Sequence, residues 1–404
     1  MINAPMLLYN LTMTNRDFET DSIPRVRVDQ LLDALSVVAY SSDTCTFEQV
    51  RQFLRRNSKR KAPPSREAMW TAARDALSDL ERLGFLETGP LPRKRSEVNR
   101  LRETPCRATK GGKELARLYK QSPGKAFDEM LLAWVNKHPY FRAFTTRLLM
   151  SPMFLPDITS IKQLGQSLTF PMTPGMLVDR LAESCISRLE AVDFPAEKVA
   201  IFRQLLEERV SHLDNVLAVA NLDAKKLVDT IEDNVVLPAI LKTEGLNFDA
   251  VTLQHLLSCS RDFLSASVTS SHPDFSGRVL FSTCDFVPNL AEDPNATVSA
   301  VIHHGRSFAI NSFASTLVNA YKELAGGSQT YIDIYPLRAV VCVNLKIQPL
   351  VFALCLEQLI EEGSESGVAI YTELPFSPPP QGENYVEIKN RRIGLLKLSS
   401  RKGG

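Results

Sequence analysis

The 404-residue chain has no CxxC pair, no G-x-x-x-x-G-K-[ST] loop and no G-x-G-x-x-G turn. Those absences argue against a zinc ribbon, an intrinsic ATPase and a dinucleotide fold. Its seven cysteines (Cys45, Cys106, Cys185, Cys259, Cys284, Cys342 and Cys355) are scattered and odd in number, which argues against a disulfide framework. Cys342 and Cys355 lie in apolar runs, where a thiol acts as a small hydrophobe. No run reaches the ~18 consecutive apolar residues of a membrane helix. The N-terminal apolar run is short and lacks a basic flank, unlike a signal peptide. A cytoplasmic, reduced protein is expected, with no membrane contact, no metal and no cofactor.

The 47 Lys/Arg and 46 Asp/Glu nearly cancel, leaving a net charge of +1. They do not cancel locally. Residues 51–120 hold 19 Lys/Arg against 8 Asp/Glu, and the remainder holds 28 against 38. Such asymmetry suggests a polyanion partner for the basic segment, with a solvated charged face as the plainer alternative. Hydrophobic residues make up 44%, enough for a sizeable core. The length suits two or three domains.

Residues 1–24 read as an arm. Val28–Tyr40 places Leu31, Leu32, Leu35 and Val38 on one helical side. Thr46 is placed to cap a second helix, to Arg55. The connector 57–64 ends in Pro63-Pro64. Ser65 then caps a third helix, Arg66–Leu83, with Met69, Ala73, Ala76, Leu80 and Leu83 facing the core. Gly84 stops it. Strands are expected at Phe85–Glu87 and Pro105–Ala108, around a basic loop, with a further helix from Lys113.

Two phrases within residues 28–120 resemble the winged helix-turn-helix superfamily. Ala76-Leu77-Ser78-Asp79-Leu80-Glu81-Arg82-Leu83-Gly84-Phe85-Leu86-Glu87 is similar to a third helix running into the first wing strand. Ala108-Thr109-Lys110-Gly111-Gly112-Lys113-Glu114-Leu115-Ala116 is similar to the turn that leaves the wing. The long connector and the extended wing depart from the usual pattern. The resemblance implies duplex DNA as partner. The early third helix would supply Ser65, Arg66, Trp70 and Arg74 to the major groove. Arg55, Arg56, Lys59, Arg60 and Lys61 would run near phosphates. The wing would bring Arg93, Lys94 and Arg95, with Arg100 and Arg102, to a flanking minor groove. A Trp on a helix is more often partly core, and winged helices also serve as protein-binding modules. The local positive charge favours DNA over RNA or protein.

Beyond residue 120, a helical connector is expected to 175. Four helices at Met176–Ala191, Pro195–Leu213, Ala224–Leu241 and Phe248–Leu264 suggest an antiparallel bundle over 176–276. Residues 277–404 mix strands and helices and read as a small α/β or α+β domain. Strands are expected there at Ala339–Leu345, and at Tyr385–Lys389 paired with Ile393–Leu398. The fold class is thus mixed and mainly α.

Candidates for chemistry are few. Glu387-Ile388-Lys389 resembles the E-x-K half of the PD-(D/E)xK nuclease signature, whose acidic pair holds Mg²⁺. Asp333 would be the second carboxylate. An edge strand with alternating charges gives the same letters. His303-His304 point to opposite faces of a strand and suit no shared metal. The leading expectation is a non-enzymatic DNA-binding subunit that assembles with itself or with partner proteins. By analogy it looks like accessory components of prokaryotic DNA-processing or anti-phage systems. The alternatives are a Mg²⁺-dependent nuclease and a ligand-responsive transcription factor.

Overall fold

A computed structural model describes residues 23–42, 44–57, 66–156, 173–181, 196–211, 232–260, 265–269, 277–305, 310–327, 330–362, 368–374 and 386–400. It is mixed and mainly helical, with small sheets. One continuous apolar core runs from Val26 to Leu398.

The first unit opens with α1 (Val28–Tyr40), whose Leu31, Leu32, Leu35 and Val38 are buried. A short strand, β1 (Cys45–Thr46), leads into α2 (Phe47–Arg56). Thr46 and Gln49 form a reciprocal capping box there, so two otherwise orphaned N–H groups are satisfied. Next comes α3 (Arg66–Arg82), which buries Met69, Ala73, Ala76, Leu77 and Leu80. Gly84 ends it at φ +81°, a conformation that costs other residues a Cβ clash. Then β2 (Leu86–Thr88) and β3 (Pro105–Ala108) flank a 16-residue loop containing one 3₁₀ turn, Arg95–Glu97. The sheet is antiparallel, in the order β1-β3-β2.

The exit from this sheet is tightly made. Thr109 caps α4 (Lys110–Gln121), its hydroxyl accepting from the Gly112 N–H at 3.1 Å. Phe85 O accepts the Thr109 N–H at 3.0 Å. A Cβ built on Gly112 would sit 2.1 Å from that same Phe85 oxygen. Only glycine lets the helix approach the strand so closely. Gly112→Ala should therefore cost about 1–3 kcal/mol through forced backbone displacement. Urea unfolding would check it; an unchanged midpoint would mean the approach is loose.

Two helices follow, α5 (Pro123–Lys137) and α6 (Pro139–Met150), each begun by a proline in its first turn. They dock the first unit onto the rest. Asn136 exchanges two hydrogen bonds with the Val298 backbone, at 2.9 and 3.0 Å. Arg142 Nε donates to Pro294 O at 2.6 Å. Strand β4 (Met153–Pro156) then pairs with a strand more than 120 residues later.

Beyond it lie a helical stretch at 174–181, α7 (Ala196–Val210), a π turn (Glu232–Val236), α8 (Leu237–Thr243) and α9 (Ala250–Ser260). The described parts of the second and third expected bundle helices are helical, the third running on to Thr243, and the expected helix 248–264 starts at Ala250. Residues 182–191, 212–213, 224–231 and 261–264 of the expected bundle lie outside the described residues.

The last part contains β5 (Ser265–Thr269), β6 (Gly277–Ser282), β7 (Cys284–Val287), β8 (Ala300–His303) and α10 (Ile310–Leu324). It continues with β9 (Ile332–Asp333), α11 (Ile334–Leu345), α12 (Pro349–Glu362) and β10 (Val368–Glu373). It closes with β11 (Val386–Ile388), β12 (Arg391–Ile393) and β13 (Leu395–Ser400). One sheet has the order β4-β6-β5, so strand pairing crosses the boundaries expected at 155–175 and at 276. A second has the order β10-β13-β9.

Two expectations are corrected. Residues 339–345 are helical, not a strand. The closing strands do not pair with each other: β11 pairs with β12, and β13 pairs with β10 and β9. The cause is a two-residue turn at Lys389 (φ +48°) and Asn390 (φ +63°), which reverses the chain earlier than expected. Among the described residues, no single helix is long and apolar enough to cross a membrane.

Candidate nucleic-acid interface

The loop between β2 and β3 carries a cluster of exposed cations. Arg93, Lys94, Arg95, Arg100 and Arg102 are all exposed. Glu97 organises the loop, its carboxylate accepting the Arg93 N–H at 2.8 Å and the Lys94 N–H at 3.3 Å. Those hydrogen bonds hold the Glu97 carboxyl below its ordinary range. The loop is therefore anchored through its backbone, while the side chains of Arg93 and Lys94 extend outward. Arg100 lies 3.9 Å from Glu97, and Arg102 lies 3.3 Å from Glu103. Both are solvent-exposed pairs, which hold their cations weakly.

The returning limb of the loop joins α2. Arg102 O accepts the Glu48 N–H, and Thr104 O accepts the Phe47 N–H, each at 3.0 Å. Arg102 is thereby placed at the start of α2, whereas Arg55 and Arg56 are exposed at its other end. Lys59, Arg60, Lys61 and Ser65 lie outside the described residues, as does the side chain of Arg66. More exposed cations, among them Lys110, Lys113, Arg117 and Lys120, sit on α4, which packs on α1.

The outward face of α3 is not bare. Arg74 is turned onto its neighbour Asp75, with Nε and Nη2 at 2.8 and 2.6 Å from Oδ1. Its guanidinium also stacks 5.1 Å from the centroid of the Trp70 ring. Trp70 is half-buried against the core, and its indole N–H is buried. Residues 23–27 cross the helix: the Arg25 N–H donates to Asp79 at 2.7 Å, and its guanidinium lies 3.8 Å from Asp75. Cys259 Sγ hydrogen-bonds to Pro24 O at 3.5 Å, tying the same segment to α9. Arg74, expected to read bases, is thus engaged within the protein because an acidic neighbour and an aromatic ring compete for it.

Arg74 and Arg93 nevertheless line one cleft of about 2190 Å³. One wall is the outward face of α3 and the base of the loop, Thr88–Leu91. The other wall comes from Arg209 on α7, Lys242 on α8 and residues 246–255. Tyr140 and Phe248 pack beside it, with ring centroids 5.6 Å apart. Sequence reasoning missed this second wall. It lies more than 100 residues from the loop, in a segment with no basic excess.

The other candidates separate. Lys389 sits in the left-handed turn and pairs with Glu361 of α12. Glu387 faces Arg392 across the β11–β12 hairpin, and Asp333 belongs to a different sheet. The E-x-K letters thus come from a hairpin and its turn. His303 and His304 also diverge. His303 Nδ1 accepts the Gly305 N–H at 3.2 Å, whereas His304 Nε2 meets Asp285 at 2.7 Å. Burial raises the Asp285 carboxyl, but hydrogen bonds from Lys346 and His304 outweigh it and hold the group low. Among the described residues, no group of three or more His, Cys, Asp or Glu is placed to hold a metal ion. The six described cysteines are buried and form no disulfide with one another, and burial pushes Cys106, Cys259 and Cys342 each up to about 12. Such thiols stay protonated and unreactive.

The chain matches no protein-family profile, no curated protein and no solved structure.

Proposed function

We propose that residues 25–121 are a winged-helix module that binds duplex DNA, and that the remainder of the chain is the body of a DNA-binding subunit. Support comes from the order α1-β1-α2-α3-β2-loop-β3 with an antiparallel β1-β3-β2 sheet. The observation that carries the reading is the exposed loop. Its base and Arg93 share a cleft with the outward face of α3, and Lys94, Arg95, Arg100 and Arg102 are exposed on the same loop, open to a phosphate backbone. Because Arg74 is held by Asp75, contact with DNA falls mainly to the loop and to Arg55 and Arg56. Binding is then dominated by phosphate, with modest sequence preference.

The test is the triple variant Arg93→Ala/Lys94→Ala/Arg95→Ala in the full chain, titrated with duplex DNA at several salt concentrations. Each lost phosphate contact should flatten the salt slope by ~0.9. Three contacts would reduce affinity on the order of 100-fold near 0.1 M salt. An unchanged slope and affinity would remove the loop from the interface and the reading with it.

A further inference from the structure

The second wall of the cleft has no role in the reading above. It is also too large for a small ligand: small-molecule pockets span ~300–1,000 Å³, whereas this cleft is about 2190 Å³ and open. A stretch of one sugar-phosphate backbone, rather than the full width of a duplex, suits that volume. The charge of the lining agrees, with six Arg/Lys against three Asp/Glu. That excess is not confined to the α3 side. Arg209 and Lys242 stand on the opposite wall, supplied by helices that belong to no part of the basic segment.

We propose that this cleft is a two-walled channel for the DNA backbone, in which Arg209 and Lys242 make phosphate contacts facing those of the loop. The inference rests on the DNA-binding reading and extends it to a second element.

The two cations are placed to exchange partners at little cost. Lys242 Nζ lies 3.9 Å from Glu208, and both side chains are more than half exposed. A pair of that kind contributes about 0–1 kcal/mol, so a phosphate competes readily. Arg209 uses Nη1 on Asn234 O at 3.0 Å, which fixes its direction while the rest of its planar fork remains available for a phosphate.

A second wall changes what the protein does with DNA. A module with one open face can leave its site in any direction. A channel with cations on both sides holds the duplex and restricts release.

The experiment uses the full chain and a duplex of about 20 base pairs, roughly two helical turns. Affinity is measured against salt for the parent, the loop triple variant, Arg209→Ala/Lys242→Ala, and the charge-keeping pair Arg209→Lys/Lys242→Arg. The alanine pair should lower the slope by about 2 and the affinity about 10- to 60-fold. The charge-keeping pair should retain the parent slope. Lys242 is exposed and Arg209 is partly so, neither in the core, so thermal unfolding of the charge-keeping pair should match the parent and that of the alanine pair should stay close to it, which separates lost contact from lost fold. If the alanine pair binds as the parent does while the loop variant fails, the second wall is no contact and the inference falls alone. If neither variant differs from the parent, the DNA reading falls too.

Discussion

Arg147→Ala should destabilise the chain by about 3–5 kcal/mol, the loss typical when one partner of a buried ion pair is removed. Arg147 on α6 and Glu244 at the end of α8 make a buried pair in which the Glu244 side chain is 1% exposed. Arg147 also donates through Nη1 to the carbonyl and hydroxyl of Ser151, each at 2.8 Å. Lys198 on α7 adds a second cation, 2.9 Å from the same Glu244 oxygen. Removing Arg147 leaves a buried carboxylate with Lys198 alone, at the edge of solvent. Replacing both partners together gives the contrast. Arg147→Met/Glu244→Leu should be near neutral or stabilising, because neither charge then has to be desolvated. Urea unfolding followed by Trp134, fully buried on the adjacent α5, reads both variants. A loss below ~1 kcal/mol for Arg147→Ala would mean the pair is as weak as a surface one. The network also bears on the proposed channel: it joins α6 to α7 and α8, the helices that carry Arg209 and Lys242. A loosened network should therefore weaken the second wall before it affects the loop.

Where one side of an element faces the core, its letters show it. The stripe Leu31, Leu32, Leu35 and Val38 is buried as its spacing demands. Thr46 caps α2, and Gly84 takes the left-handed turn that ends α3. The pattern fails where an element is apolar nearly all round. Ala339-Val340-Val341-Cys342-Val343 has the β-branched letters of a strand, yet it is the second half of α11. Tyr335, Leu337, Arg338, Val341 and Cys342 are all buried there, so no polar side marks a helical period. Long-range pairing was equally hidden. Nothing local in Met153–Pro156 announces that it will lie beside Gly277–Leu280.

The candidate site divides along the same line. The loop was legible because Arg93-Lys94-Arg95 are consecutive and lie outside any helix. The engagement of Arg74 was half legible, since Asp75 is adjacent, but Trp70 had to be seen beneath it. The far wall was illegible. Arg209 and Lys242 become neighbours of the loop only through the packing of α7 and α8, and their sequence surroundings are those of an ordinary solvated helix. An interface built from one local and one remote wall shows only its local half to a reader of letters.

Asp79→Asn should stabilise the chain at neutral pH, and the gain should vanish in acid. Asp79 is fully buried on α3, and burial pushes its carboxyl up to about 6, against the opposing pull of the Arg25 N–H and of Arg82. In the unfolded chain the same group titrates near 3.8. The sign follows from proton counting. Between those values the folded state keeps a proton that the unfolded state has released, so unfolding releases it, and stability falls as pH rises. Below pH ~3.8 both states are protonated and the group contributes no slope. Above pH ~6 the charged form is buried at a cost on the order of 3 kcal/mol. Asparagine keeps an oxygen for the Arg25 N–H and never ionises, but it gives up the attraction to Arg82, 3.6 Å away. Other carboxylates, Asp285 among them, tilt the whole profile the opposite way, so only the difference between variant and parent is diagnostic. That difference should grow by about 2.5 kcal/mol from pH 4 to pH 7, most of it before pH 6. A flat difference would place an unseen cation against Asp79. The charge would then be held in the folded state, and residues 23–27 would be clamped across α3 more firmly than the Arg25 backbone contact alone allows.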